Sequence, residues 1–146
     1  MGGTFSLSLA RWARSSSPWL LHFNAGACNG CDIEVLSAIC PNYDPERVGV
    51  LLKPSPRHAD VLVVTGIVTN QTKDRLIRIY EQMPEPKAVV AVGTCAISGG
   101  VFHDAYNRAG SVKDFVPVLM EVPGCPPRPE KIVEALAIAA SKLREV

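Results

Sequence analysis

Two runs in this chain, Val61-Leu62-Val63-Val64 and Ala88-Val89-Val90-Ala91-Val92, are apolar at every position. A strand with one wet face alternates apolar and polar residues, so an unbroken apolar run suits a strand buried on both faces. Trp19-Leu20-Leu21-His22-Phe23 suits the same role, and weaker strands are expected near Val48–Leu52 and over Val116–Val122, where a proline interrupts. Helical patterns lie between them. From Asp32, Ile33, Leu36 and Ile39 recur at three-residue spacing until Pro41 closes the stretch. Leu76, Ile77, Tyr80 and Met83 share one face, opposite Lys73, Asp74, Arg75 and Arg78. Ile132, Val133, Leu136, Ala140 and Leu143 mark a terminal amphipathic helix, with Pro129 suited to its first turn. Strands that alternate with helices and bury both faces predict a parallel sheet covered on each side: a three-layer, doubly wound α/β domain.

A chain of 146 residues with 47% hydrophobic and 20% charged residues fills one core and is not disordered by composition. No internal repeat or linker divides it. Residues 19–146 read as the domain and Met1–Pro18 as a punctuated N-terminal arm, whose Phe5, Leu7, Leu9 and Trp12 suit a partner contact or packing on the arm's own domain. Net charge is +1 with no basic stripe, and only 6% of residues are aromatic, so no nucleic-acid partner is expected. The longest apolar runs are about six residues, far short of the ~20 that span a bilayer. No signal peptide is visible, because no long apolar segment follows Arg11 and Arg14. The expectation is a cytosolic chain with reduced thiols, and its odd count of five cysteines also speaks against disulfides.

Four of those cysteines share a position in the pattern. Cys28/Cys31, Cys95 and Cys125 each follow the end of a proposed strand, in segments that carry glycine or proline. In an open parallel sheet such segments meet at the carboxyl edge, where ligands bind. Four thiolates converging there are the ligand set of a 4Fe–4S cluster. Gly26, Gly30, Gly93, Gly99 and Gly124 would let backbone N–H groups approach its negative charge, and Pro123, Pro126 and Pro127 would pre-set the loop around Cys125. Structural zinc also takes four thiolates, although zinc modules usually bring two close pairs and this chain has one pair and two single cysteines. A redox dithiol at Cys28 and Cys31 would leave Cys95 and Cys125 without a reason. Cys40, beside Pro41, reads as a bystander thiol.

Four stretches resemble the iron–sulfur small subunit shared by nickel–iron hydrogenases and respiratory complex I, where it is the B-type subunit. They are CNGCDIE (Cys28 to Glu34), SPRHADVLVVTG (Ser55 to Gly66), YEQMPEPKAVVAVGTCAISGG (Tyr80 to Gly100) and VPGCPPRPE (Val122 to Glu130), and the resemblance runs from about Leu20 to Leu143. It implies a flavodoxin-like fold with one proximal 4Fe–4S cluster on Cys28, Cys31, Cys95 and Cys125, at the face that meets a large catalytic subunit. Complex I subunits carry adjacent cysteines at the first ligand site, whereas two residues separate Cys28 from Cys31 here, as on the hydrogenase side. A short chain without the second cluster domain of soluble or periplasmic hydrogenase small subunits resembles the energy-converting, membrane-bound (group 4) hydrogenases. That resemblance implies an electron-transfer subunit, not catalytic alone, fed by ferredoxin through a polyferredoxin-like subunit. It would deliver electrons to the nickel–iron site of a hydrogenase-like large subunit, in a complex whose integral membrane subunits translocate ions. The chain would sit peripherally on the cytoplasmic face of the cell membrane and hold no nickel itself. A quinone-reducing or sulfur-reducing relative of the same architecture is the alternative within the class, and a zinc-stabilised non-redox binding module is the alternative outside it.

Among the other candidates, the resemblance implies for Glu34 a place near the cluster and the large subunit, where it could relay protons; a carboxylate in the first turn that satisfies the helix dipole is the plain alternative. Asp32 has that alternative more strongly. His22, His58 and His103 are expected to be structural or surface residues, since four thiolates need no further ligand, and Arg57 and Arg128 are expected at the surface.

Overall fold

A computed structural model describes Trp12 and residues 16–145. The predicted strands form one parallel sheet of five: β1 (Trp19–Gly26), β2 (Leu51–Leu52), β3 (Val61–Gly66), β5 (Ala88–Val92) and β7 (Met120–Val122). Their order is β2-β1-β3-β5-β7, so the chain winds one way from β1 and the other way from β3, which is the doubly wound arrangement. Every residue of β3 and of β5 is buried, as the unbroken apolar runs require.

The two faces of those strands feed separate cores. Val61 and Val63, with Leu20, Val90, Val92 and Val122, pack beneath helix α1 (Gly30–Ile39) and the terminal helix α4 (Pro129–Glu145). Leu62 and Val64, with Val89 and Ala91, pack beneath α2 (Lys73–Gln82), the short α3 (Thr94–Ser98) and the 3-10 turn at Val112–Asp114. Helix α4 lies on the sheet through Ile132, Ala135, Leu136, Ala139 and Leu143. At the amino edge the buried Asp60 ties three strands together: its carboxylate accepts from Trp19 N (3.0 Å), and its carbonyl accepts from Ala88 N.

Three elements differ from the sequence expectation. Helix α1 starts at Gly30, two residues before Asp32, and its buried stripe is Cys31, Val35 and Ala38. Small residues on that stripe let the helix lie close to the sheet, while Ile33 and Leu36 stay exposed at 62% and 57%. The expected strand over Val116–Val122 pairs only at Met120–Val122: Pro117 offers no N–H to a ladder, and Val116 turns into the α2 core. A two-stranded antiparallel ribbon, β4 (Val68–Thr69) with β6 (Arg108–Gly110), forms where a plain loop was expected after Cys95. The N-terminal arm lies outside the described residues apart from Trp12, which is exposed, and residues 16–18. No helix among the described residues is long and apolar enough to cross a membrane.

Truncating Leu136→Ala opens a void between α4 and the sheet, and the expected cost is about 2–5 kcal/mol. Urea unfolding checks this as a lower midpoint at an unchanged slope.

Candidate metal centre

The carboxyl ends of β1, β5 and β7 lead straight into Cys28, Cys95 and Cys125, and Cys31 follows one turn after Cys28. Sequence reasoning put all four in loops; the structure places Cys31 and Cys95 in the first turns of α1 and α3. Two hydrogen bonds from Thr94 to the Gly124 carbonyl, from N (2.9 Å) and from Oγ1 (3.0 Å), fasten the Cys95 segment to the Cys125 segment. Gly93 N also donates to the Val122 carbonyl (2.8 Å).

Glycines stand against three of the four sulfurs. A Cβ on Gly93, at φ +91°, would fall 2.5 Å from Cys31 Sγ, so no other residue fits there without moving the thiol. A Cβ on Gly30 would lie 3.7 Å from Cys28 Sγ and within 4.0 Å of the Pro126 ring, which shows that the first segment also touches the third. A Cβ on Gly100 would lie 3.2 Å from Cys95 Sγ. All four thiols are free; Cys31 is buried, Cys95 half-buried, and Cys28 and Cys125 exposed.

The four thiols lie within one another's electrostatic fields. Burial, and then the neighbouring Cys95, Cys28 and Cys125, push the Cys31 thiol up to about 11. Burial, and then Cys125 and Cys28, raise Cys95, while the backbone N–H groups of Val101 and of Cys95 itself act in the lowering direction. Four thiolates this close repel one another and are stable together only around positive charge, which bound metal supplies. Among the described residues no group of three or more Cys, His, Asp or Glu side chains is arranged to hold a single metal ion. Four thiols within one another's fields at one sheet edge suit a cluster, which offers each sulfur its own metal corner.

A hydrogen-bond hub that sequence reasoning missed positions the first pair. The Asp32 carboxylate takes His22 Nε2 (3.0 Å) and Thr65 Oγ1 on Oδ1, and Asn24 Nδ2 on Oδ2. The Asn24 Oδ1 in turn accepts from the N–H groups of Gly26 (2.9 Å) and Ala27 (2.8 Å). Asp32 is therefore more than a first-turn carboxylate: it locks α1 to the ends of β1 and β3. The polar Thr65, fully buried in an otherwise apolar strand, was the available signal for this hub.

The remaining candidates fall outside the thiol set. His22 serves the Asp32 hub, His58 contacts Ser55 and the Trp19 ring, and His103 pairs with Asp104. Cys40 is exposed at the far end of α1, and Arg57 and Arg128 are at the surface. Glu34 is half-buried on α1; with Glu130, the chief cause, it raises the Tyr43 phenol.

The chain is similar to known proteins over most of its length. The family model described as NADH ubiquinone oxidoreductase, 20 Kd subunit, matches residues 28–139. The probable membrane-bound hydrogenase subunit mbhJ of Pyrococcus furiosus is 50% identical over 130 residues, covering 89% of this chain and 78% of that protein. A B-type subunit of the NADH-quinone oxidoreductase of Rhizobium etli is 46% identical over 137 residues, covering 94% and 80%. A chain of the membrane-bound sulfane sulfur reductase, an archaeal respiratory membrane complex, superposes with a TM-score of 0.76 at 40% identity, over 94% of this chain and 74% of that one.

In the metal-free chain, alkylation with iodoacetamide is expected to reach the exposed Cys28 and Cys125 first. Cys31, with its thiol held up to about 11, should stay largely unmodified at pH 8 and react as pH rises toward that value. The sign is that of an acid held neutral by the fold: the stabilisation is full below the ordinary thiol value of 9.0 and is lost as pH climbs through about 11. Peptide mass spectrometry reads the order of labelling, and equal rates at all four thiols would contradict it.

Proposed function

The chain belongs to the family of the NADH ubiquinone oxidoreductase 20 kDa subunit, and on that premise we propose that Cys28, Cys31, Cys95 and Cys125 ligate its one 4Fe–4S cluster. Members of this family hold such a cluster, and the chain is an electron-transfer subunit of a membrane-bound, hydrogenase-type respiratory complex, not a catalyst by itself. The observation that carries the ligand assignment is the mutual field of the four thiols at one sheet edge, with glycines against three of the sulfurs.

Bound there, the cluster supplies one-electron transfer. The protein's part is to hold four thiolates in place, to keep water from Cys31, and to aim N–H donors at sulfur, which together tune the potential. Asn29, left-handed at φ +69° and making no side-chain cap, leaves the first N–H groups of α1 to the cysteine edge, where they favour thiolate.

The complex has a large subunit and integral membrane subunits. Val101, Tyr106 and Phe102, exposed at 84%, 98% and 40% in the segment after Cys95, and Ile33 and Leu36, exposed on the helix that carries Cys31, leave apolar side chains uncovered on two of the cysteine-bearing segments. Those side chains suit the large subunit, which would carry the nickel–iron site and receive the electrons. The similarity to mbhJ favours this hydrogenase reading, with ferredoxin and a polyferredoxin-like subunit as donors, ion translocation by the membrane subunits, and a position on the cytoplasmic membrane face. A sulfur-reducing complex is the second reading, favoured by the sulfane sulfur reductase match. Glu34, half-buried on the same helix as Cys31, is proposed to relay protons at that interface.

Iron and acid-labile sulfide analysis of the purified complex is expected to give about four of each per cluster in this chain, with a reduced-state spin-resonance signal lost in Cys95→Ser. Stoichiometric zinc without iron would instead favour the binding-module class. Nickel in the large subunit with hydrogen evolution supports the hydrogenase reading; sulfide production without nickel supports the second. Glu34→Gln is expected to slow turnover at least several-fold with iron content unchanged, which a combined assay of rate and metal checks.

A further inference from the structure

The turn after Cys95 is held by a cation. From β6, Arg108 donates through Nη1 to the His103 carbonyl (3.2 Å) and through Nη2 to the Ser98 carbonyl (3.2 Å) and to Ser111 Oγ (3.4 Å). Ser98 and His103 bound the 3-10 turn at Gly100–Phe102 with its leading Gly99, so one planar guanidinium spans the turn from end to end. Two consecutive glycines then touch, in order, the guanidinium and the sulfur. A Cβ on Gly99, at φ +93°, would fall 2.7 Å from Arg108 Nε, and a Cβ on Gly100 would fall 3.2 Å from Cys95 Sγ. The N–H of the next residue, Val101, opposes the rise that burial imposes on that thiol.

Arg108 occupies this place at a cost. Its Nε is buried and has no acceptor among the described residues, and among those residues it forms no ion pair with Asp or Glu. A half-buried guanidinium with an unmet donor costs stability, so its retention there calls for a use of the geometry it enforces. The ribbon supplies the rigidity: β6 pairs with β4, which follows directly on β3, so Arg108 is anchored to the sheet and not to the turn it spans.

We propose that Arg108 is a positioning residue for the cluster: its guanidinium fork closes the 98–103 turn, keeps the Gly100 backbone and the Val101 N–H that follows it against the Cys95 sulfur, and through that contact sets the reduction potential. The inference rests on Cys95 being a cluster ligand. An N–H donated to a cluster sulfur stabilises the more negative, reduced state, so losing it makes the potential more negative. The fork, not the charge alone, is what matters, because a lysine ammonium is a point donor that does not reproduce planar, divergent bonds to two carbonyls.

The test uses the intact membrane complex with Arg108→Gln, Arg108→Lys and Val101→Pro, the last removing the N–H. Iron and sulfide are counted and the midpoint potential is titrated by spin resonance. The expected result is retained iron and a more negative potential in all three, with Arg108→Lys shifted about as far as Arg108→Gln. Cluster loss in Arg108→Gln alone, with Arg108→Lys loaded and shifted, also supports the proposal. It is overturned by a wild-type potential in Arg108→Lys, which would make charge alone responsible, or by an unshifted Val101→Pro. Cluster loss from both Arg108 variants in an assembled complex overturns it as well, making Arg108 a purely structural residue. Absence of iron from the unmodified complex would remove the ligand reading itself, and this inference with it.

Discussion

Strands β3 and β5 bury side chains on both faces, and that single constraint orders the rest of the molecule. Apolar residues on each side require a layer of helices on each side, and parallel strands require every connection to cross over. All the crossovers therefore begin at one edge. The three cysteine segments lie together because each leaves the sheet at that edge, from β1, β5 and β7. No long-range attraction between cysteines has to bring them there. Their mutual repulsion as thiolates opposes it, which is why the core must supply the convergence and the metal the compensation.

The first pair and the two single ligands are held by different means. Cys28 and Cys31 ride on a helix start locked to the sheet by the Asp32 hub, through His22, Asn24 and Thr65. Cys95 and Cys125 are tied to each other by Thr94 on the Gly124 carbonyl. Gly93 joins the two systems, since its missing Cβ is the space that Cys31 Sγ occupies. A change at Gly93 therefore reaches all three ligand segments at once.

Much of this was legible in the residues, and the limits are physical. Unbroken apolar runs identified β3 and β5 because two-sided burial leaves a composition signal. Cysteines at strand ends identified the edge because a doubly wound sheet has one ligand edge. Helix α1 was misjudged in its start and its face: Ile33 and Leu36 look like core, but the buried stripe is made of smaller residues. Apolar spacing does not separate a face that packs on its own sheet from one left exposed beside a site. The Asp32 hub was illegible because it joins residues far apart in sequence, and the Arg108 clamp because it depends on the direction of one side chain across a turn; no local period records either.

The contrast between the ligands also bears on where tuning can occur. Cys31 is buried and surrounded by the other thiols, so its environment is fixed by the core and by Gly93. Cys95 is half-buried, and the N–H that opposes the rise in its thiol comes from a turn outside the sheet. A turn can change its geometry without disturbing the core, whereas a stripe residue of α1 cannot. Adjusting the electron-transfer potential without losing the fold therefore falls to the segment after Cys95, where a cation from the β4–β6 ribbon, rather than the apolar core, decides how tightly the backbone closes on the sulfur.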